Sequence, residues 1–220
     1  GLGGSSEREG LRRMGLSLQA AGFEVWRLNL RGAGPGRHLA PGTYAARCDR
    51  DLLPVLELAR QRAGGLPLFG VGISLGGTML LNACLASPGV LDGVVCTSSP
   101  LDLALSSQQI ELPRNRVYQR WLLRRLCAQT LADPFGVSDA ERQALQGPEQ
   151  PRTIRGFDAA ITAPRWGYAS VDDYYREASP LPRLLSAAAD LPPSLLLHAL
   201  DDPWVPASGA QIMAQQDLVG

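Results

Sequence analysis

The sequence predicts an α/β fold in which a mostly parallel sheet carries helices on both faces, with a helical insertion over the strand ends. Three observations lead there. "LPLFGVGI" (66–73), "LDGVVCTSS" (91–99) and "PSLLLHAL" (193–200) are short, nearly continuous apolar runs, as expected of strands in a buried parallel sheet. Segments of helical periodicity alternate with them. Residues 101–186, between the second and third runs, hold most of the tyrosine and tryptophan but show no strand pattern. At 220 residues with 45% apolar content the chain can bury a substantial core. We therefore expect one domain, 1–220, with core segments 1–100 and 187–220 and a helical cap at 101–186.

Taken in order, Ser6 and Glu9 form a capping-box pair, and Leu11, Met14, Leu18 and Ala21 follow at helical spacing before Gly22. This predicts a first helix. "FEVWRLNL" (23–30) reads as a strand running into the loop "RGAGPG" (31–36). A second helix is expected from about Tyr44 to Arg62, kinked or restarted at Pro54. "PASGAQIMAQQ" (206–216) looks helical.

Composition narrows the function. The 21 basic residues, all arginine, balance 21 acidic ones, so no bulk field attracts nucleic acid or anionic lipid. Cys48, Cys84, Cys96 and Cys127 lie in no metal-ligand spacing and read as reduced core thiols. No apolar stretch has the length of a membrane span, and no signal-peptide pattern opens the chain. A cytoplasmic enzyme without metal or cofactor is the expectation. The opening "GLGGSS" lacks a methionine, which suggests a piece of a longer protein.

"GISLG" (72–76) matches GxSxG between an expected strand and an expected helix, Gly76 to Ser87. There a serine is held in a strained turn above the sheet edge, and Gly72 and Gly76 are expected to keep side chains from colliding across it. The Leu75 amide, at the helix start, would face a developing oxyanion. Ser74 is thus the candidate nucleophile; the bland alternative is a small residue at a tight corner.

A nucleophilic serine needs a base and an acid, which follow it in that motif's usual architecture in the order serine, acid, histidine. His38 precedes the serine, and His198 sits within the third expected strand. Neither suits the role. "HALDDPWVP" (198–206) offers the acid at the start of a Pro-containing turn: Asp202 is favoured, Asp201 competes, and turn capping is the non-catalytic reading.

The chain also resembles the YheT-like branch of the α/β-hydrolases, relatives of the abhydrolase-domain carboxylesterases and acylglycerol lipases. The matching stretches are "GLGGSS", "LNLRGAG", "VGISLGGTMLL", "RVYQRWLL", "FDAAITAPRWGYASVDDYYREASP" and "LLHALDDPWVP". The resemblance implies Ser74 as nucleophile, Asp202 as acid, and Leu2 with Leu75 as oxyanion amides. It also implies a histidine before the first glycine and a catalytic histidine on a loop after residue 220. The chain as written would then lack its base.

Two further stretches invite other readings. "RGAGPG" imitates a dinucleotide-binding loop with Asp49 and Asp51 downstream, but both fall in a helical pattern instead of at a strand end. Arg116, Arg120 and Arg124 stack at four-residue spacing and are expected to be solvated or to pair with Asp172, Asp173 or Glu177; an anionic substrate group is the alternative. The expected function is hydrolysis of short- to medium-chain acyl esters or acylglycerols through an acyl-enzyme, with a small-molecule ester or lipid as substrate. Acyl transfer to an alcohol and a non-catalytic binding module are the alternatives.

Overall fold

Three parallel strands, in the order β1 (Phe69–Ile73), β2 (Gly93–Thr97) and β3 (Ser194–Leu197), form the sheet of the computed structural model, which describes residues 1–186 and 191–215. Phe69 pairs with Gly93 and Ile73 with Thr97; Val94 pairs with Ser194 and Thr97 with Leu197. All three strands lie inside the apolar runs that predict them. The expected boundary at residue 187 lies outside the described residues.

Helix α1 (Glu9–Ala20) starts without the expected capping box: Arg8 occupies the cap position, and no side chain caps the helix. The Ser6 N–H instead donates to Asn29 Oδ1 at 2.9 Å, and the Ser6 carbonyl accepts from Arg27, so the loop is tied to residues 23–30. That segment forms no regular element and joins no ladder, contrary to the strand expected there. A strand exists only with a partner, and its contact with β1 is side chain to side chain, Phe23 edge-on to Phe69 at 6.3 Å. Val25 and Arg27 pack under Gly15 of α1.

Helix α2 (Asp49–Ala63) begins five residues later than expected and runs through Pro54 without restarting. Arg31 grips Asp51 in its first turn with two 2.6 Å hydrogen bonds. Asp51 is therefore spent inside the fold, which removes it as a ribose ligand. The intervening "GPGRHL" coils as a 3-10 turn, Gly34–Leu39.

Helix α3 (Leu75–Ala86) leaves β1 directly and is buried nearly all round, including Thr78, Met79, Leu81 and Asn82. It covers one face of the sheet, where Leu81 packs with Val94 and Cys96. On the other face Phe69, Val71, Leu195 and Leu197 keep partial exposure, less covered than continuous apolar runs lead one to expect.

Between β2 and β3 the described chain is helical: α4 (Leu103–Ile110), α5 (Arg116–Leu131), α6 (Asp139–Gln146), α7 (Ile154–Phe157), a π-helical turn (Asp158–Thr162), α8 (Ala163–Arg165), α9 (Val171–Ala178) and α10 (Leu181–Ser186). The helix α11 (Ser208–Gln215) follows β3. The helical segment has its own apolar cluster around Leu122, Leu126, Phe157 and Ile161. A buried amide ties it to the rest: Asn82 donates to the carbonyls of Ala46 and Ala178, both at 2.9 Å, and accepts from Arg183. Arg116, Arg120 and Arg124 are exposed and make no ion pair among the described residues. Their expected acidic partners are engaged elsewhere, Asp172 by Arg155 and Asp173 by Arg176.

Candidate active site

Ser74 has φ 54° and ψ −131°, a conformation that costs a non-glycine residue of order 1–3 kcal/mol. The turn holds it there. The Ser74 N–H donates to the Thr97 carbonyl at 2.8 Å, while its own carbonyl accepts from Gly77 N–H at 2.9 Å. The strand-to-helix corner can be this tight because a Cβ on Gly72 would lie 2.4 Å from the Gly77 Cα. Gly77 in turn faces Ser99 and Cys96, whose Cβ would be 3.0 Å from a Cβ placed there. Gly76, expected to share this role, meets nothing within 4 Å; the close approach belongs to Gly72 and Gly77.

A cavity of about 360 Å³ opens beside Ser74, and Leu2, Leu75 and Asp202 line the same space. Leu75 is the first residue of α3, where N–H groups have no helical partner and the helix dipole favours negative charge. Gly1 lies against the corner, where a Cβ on it would be 3.5 Å from Ser74 Cβ. Neither the Leu2 nor the Leu75 N–H is taken by a backbone or side-chain acceptor among the described residues. Two residues with free backbone donors therefore line the cavity with Ser74.

The loop around Asp202 is held from several directions. Asp202 Oδ1 accepts from the N–H groups of Trp204 (2.9 Å) and Val205 (3.0 Å). Its other oxygen has no partner among the described residues. Trp204 stacks on Tyr118 of α5 with ring centroids 3.8 Å apart, and Asn115 donates to the Pro203 carbonyl at 2.6 Å. Asp201 is exposed and does not line the Ser74 cavity. His198 lies just past the end of β3 and bonds the Val205 carbonyl through Nε2 at 2.8 Å; His38 is exposed on the 3-10 turn. Neither histidine lines the cavity. Burial pushes the Cys48 and Cys96 thiols up to about 12 and Cys84 to about 11, so no thiolate competes as nucleophile.

Residues not singled out by the sequence also shape the site. The Gly3 N–H donates to Tyr44 Oη at 2.6 Å and the Gly3 carbonyl accepts from Arg125 at 3.0 Å, so the Gly1–Gly4 loop is pinned from both sides. Asp158 lines the cavity from the π-helical turn, a feature often found at functional sites. Its oxygens accept from Thr162 Oγ1 (2.6 Å) and Tyr175 Oη (2.8 Å). Burial raises its carboxyl to about 6 despite these bonds. A lone acid in the apolar run "FDAAIT" is the only trace of it in the sequence.

The family model described as Hydrolase_4, serine aminopeptidase S33, matches residues 1–217. The chain is 40% identical to the "Putative esterase YheT" of Escherichia coli (strain K12) over 157 residues, covering 68% of this chain and 44% of that protein. It is 28% identical to the human "Phospholipase ABHD3" over 214 residues, 96% of this chain and 51% of that one. The chain thus spans about half the length of the curated relatives it matches. A crystal structure of Paleococcus ferrophilus monoacylglycerol lipase is similar in fold, with a TM-score of 0.55 at 21% identity over 96% of this chain and 75% of that chain. With a strained serine between a parallel strand and a buried helix, and a family match over nearly its whole length, the chain belongs to the YheT-like branch of the α/β-hydrolases.

Proposed function

We propose that this chain carries the nucleophile, the acid and the oxyanion donors of a serine hydrolase that cleaves carboxylic esters through an acyl-enzyme. The observation that carries this reading is the strained Ser74, whose cavity is shared by Asp202 and by the two residues with free amides, Leu2 and Leu75. Ser74 Oγ attacks the ester carbonyl carbon while an imidazole takes its proton. The Leu2 and Leu75 N–H groups hold the resulting oxyanion, each such donor contributing about 3–4 kcal/mol. Collapse expels the alcohol, protonated by the imidazolium, and water repeats the sequence to free the acid. Asp202 orients the imidazole with its unengaged oxygen; the histidine itself is expected after residue 220. Neither step calls on a metal or cofactor. The largely apolar cavity suits a short- to medium-chain acyl group or an acylglycerol. No helix of the described residues is long and apolar enough to cross a membrane. Free cysteines agree with a reducing, cytoplasmic setting.

The test is reaction of the full-length protein with a fluorophosphonate. Labelling at Ser74, abolished together with ester turnover in Ser74→Ala, is the expected result. Absence of labelling would favour a non-catalytic binding module. Ester formed in excess of free acid when ethanol is added would favour an acyltransferase using the same acyl-enzyme.

A further inference from the structure

Helix α5 uses only one of its sides within the fold. Its inner side gives Tyr118, Leu122 and Leu126 to the wall of the Ser74 cavity and Leu123 to the apolar cluster behind it. On its outer side Arg116, Arg120 and Arg124 form one row at four-residue spacing, and Val117, Trp121 and Ala128 lie beside that row; all six are exposed. Val117 is 81% exposed, more than any other large apolar side chain among the described residues, and Trp121 is 47% exposed. The Trp121 ring is held by stacking on Tyr118, with centroids 5.7 Å apart, and by the Arg125 guanidinium 5.2 Å from its centre.

The arginine row has no countercharge. None of the three makes an ion pair among the described residues, and the chain has no Asp or Glu between Glu111 and Asp133. Like charges four residues apart weaken a helix, so the row is a cost to the fold itself. Arg114, the next cation along the chain, differs in sharing a groove with Asp201. Because the chain as a whole is neutral, attraction to an anionic surface must arise from a local face such as this one, and it orients the molecule.

We propose that the outer face of α5 docks on a bilayer surface carrying anionic phospholipids. The arginines meet the phosphates, while Trp121 and Val117 enter the headgroup layer, where indole and aliphatic groups leave water and cations stay hydrated. A soluble polyanion would satisfy the arginines and leave Val117 in water; a bilayer accepts both rows. The helix lying on the membrane is then also a wall of the Ser74 cavity. If esters are the ligands of that cavity, docking carries it to the phase in which apolar esters concentrate; docking itself requires no reaction at Ser74.

The experiment mixes full-length protein with vesicles of phosphatidylcholine alone, or of equal parts phosphatidylcholine and phosphatidylglycerol, and measures bound protein by sedimentation. Binding is expected to the mixed vesicles, falling steeply with added salt, and only weakly to phosphatidylcholine alone. An arginine at an anionic surface contributes roughly fivefold, so the triple variant Arg116→Gln, Arg120→Gln, Arg124→Gln should weaken partitioning about hundredfold. Val117→Ser should weaken it several-fold. Both variants should keep at least the wild-type Tm and the wild-type turnover of a water-soluble p-nitrophenyl ester, since none of these positions lines the cavity. Failure of the wild type to bind the mixed vesicles, or undiminished binding by the arginine variant, would overturn the proposal. So would a lower Tm of that variant, which would place the row against another part of the protein. Tight binding of heparin or poly-glutamate without binding to the mixed vesicles would overturn it in favour of a soluble polyanion or an acidic protein. Absence of fluorophosphonate reaction at Ser74 would sink the esterase reading and leave vesicle binding as it is.

Discussion

The three glycines around Ser74 offer a direct check on how the corner is built. Alanine at position 72 would put a Cβ 2.4 Å from the Gly77 Cα and 2.5 Å from the Gly77 nitrogen, where carbon atoms normally stay about 3.5–4.0 Å apart. Both obstacles are backbone, so no side-chain rotation relieves them; the strand and helix must separate by about 1 Å or more, at a cost of about 3 kcal/mol, the upper end of the usual range for overpacking. Alanine at 77 meets Ser99 Oγ at 2.0 Å and Cys96 Cβ at 3.0 Å. Ser99 is a movable side chain, so Ser99→Gly should recover part of the loss in the double variant. Alanine at 76 meets nothing within 4 Å and should be neutral or stabilising by up to about 1 kcal/mol, since glycine is a poor helix former. Urea unfolding together with fluorophosphonate labelling rates would read both stability and the set of the serine. Gly72→Ala with wild-type stability and labelling, or a Gly76→Ala variant more damaged than Gly72→Ala, would refute this account of the corner.

Asp202→Asn should keep the loop folded, because an amide oxygen can still accept from Trp204 and Val205, yet lower kcat of the full-length enzyme by about 10⁴-fold; Asp201→Asn, at an exposed site outside the cavity, should leave it nearly unchanged. Steady-state kinetics on a p-nitrophenyl ester decide between them, and the reverse ranking would transfer the acid to Asp201. Asp158 makes stability depend on pH in the opposite sense to an ion-paired carboxylate. Its folded pKa of about 6 lies above the ordinary 3.8, so the native state binds the extra proton between these values and loses stability as pH rises through them. The wild type minus Asp158→Asn difference in unfolding free energy should fall by about 3 kcal/mol between pH 3.5 and pH 7, and a flat difference would show that the carboxyl titrates normally.

What was legible in the sequence depended on how local its cause is. The three sheet strands are apolar runs whose burial is written into each run, and the structure has all three in parallel. Residues 23–30 carry the same pattern, but pairing is a property of two segments, and their aromatic contact with Phe69 does not supply a ladder. The Ser6 and Glu9 pair satisfied the capping-box spacing, yet Asn29, more than twenty residues away, took the Ser6 N–H instead. Of the two fates expected for the arginine row, the structure has the solvated one, because Asp172 and Asp173 pair with Arg155 and Arg176.

The same distinction runs through the site. Ser74 was readable because its geometry comes from five consecutive residues, with only the small residue one turn further on, Gly77, exchanging roles with Gly76. The aspartate pair was readable as a turn, and the structure separates its members by direction: Asp202 toward the cavity with Ser74, Asp201 toward solvent. Tyr44 and Arg125 could not be found that way. They are 41 and 122 residues from Gly3, and what joins them is the need of a glycine loop at positive φ for partners on both its N–H and its carbonyl. A short loop with the backbone freedom of Gly3 and Gly4 would not by itself hold the Leu2 amide in one direction, and the oxyanion role proposed for that amide requires an N–H already aimed when charge develops. The phenol and the guanidinium supply that rigidity from the core and from the helical segment respectively. The helical segment is therefore tied to the Gly1–Gly4 loop as well as to the cavity wall, so movement of α5 would disturb the Leu2 amide and the stacking of Trp204 beside Asp202 together.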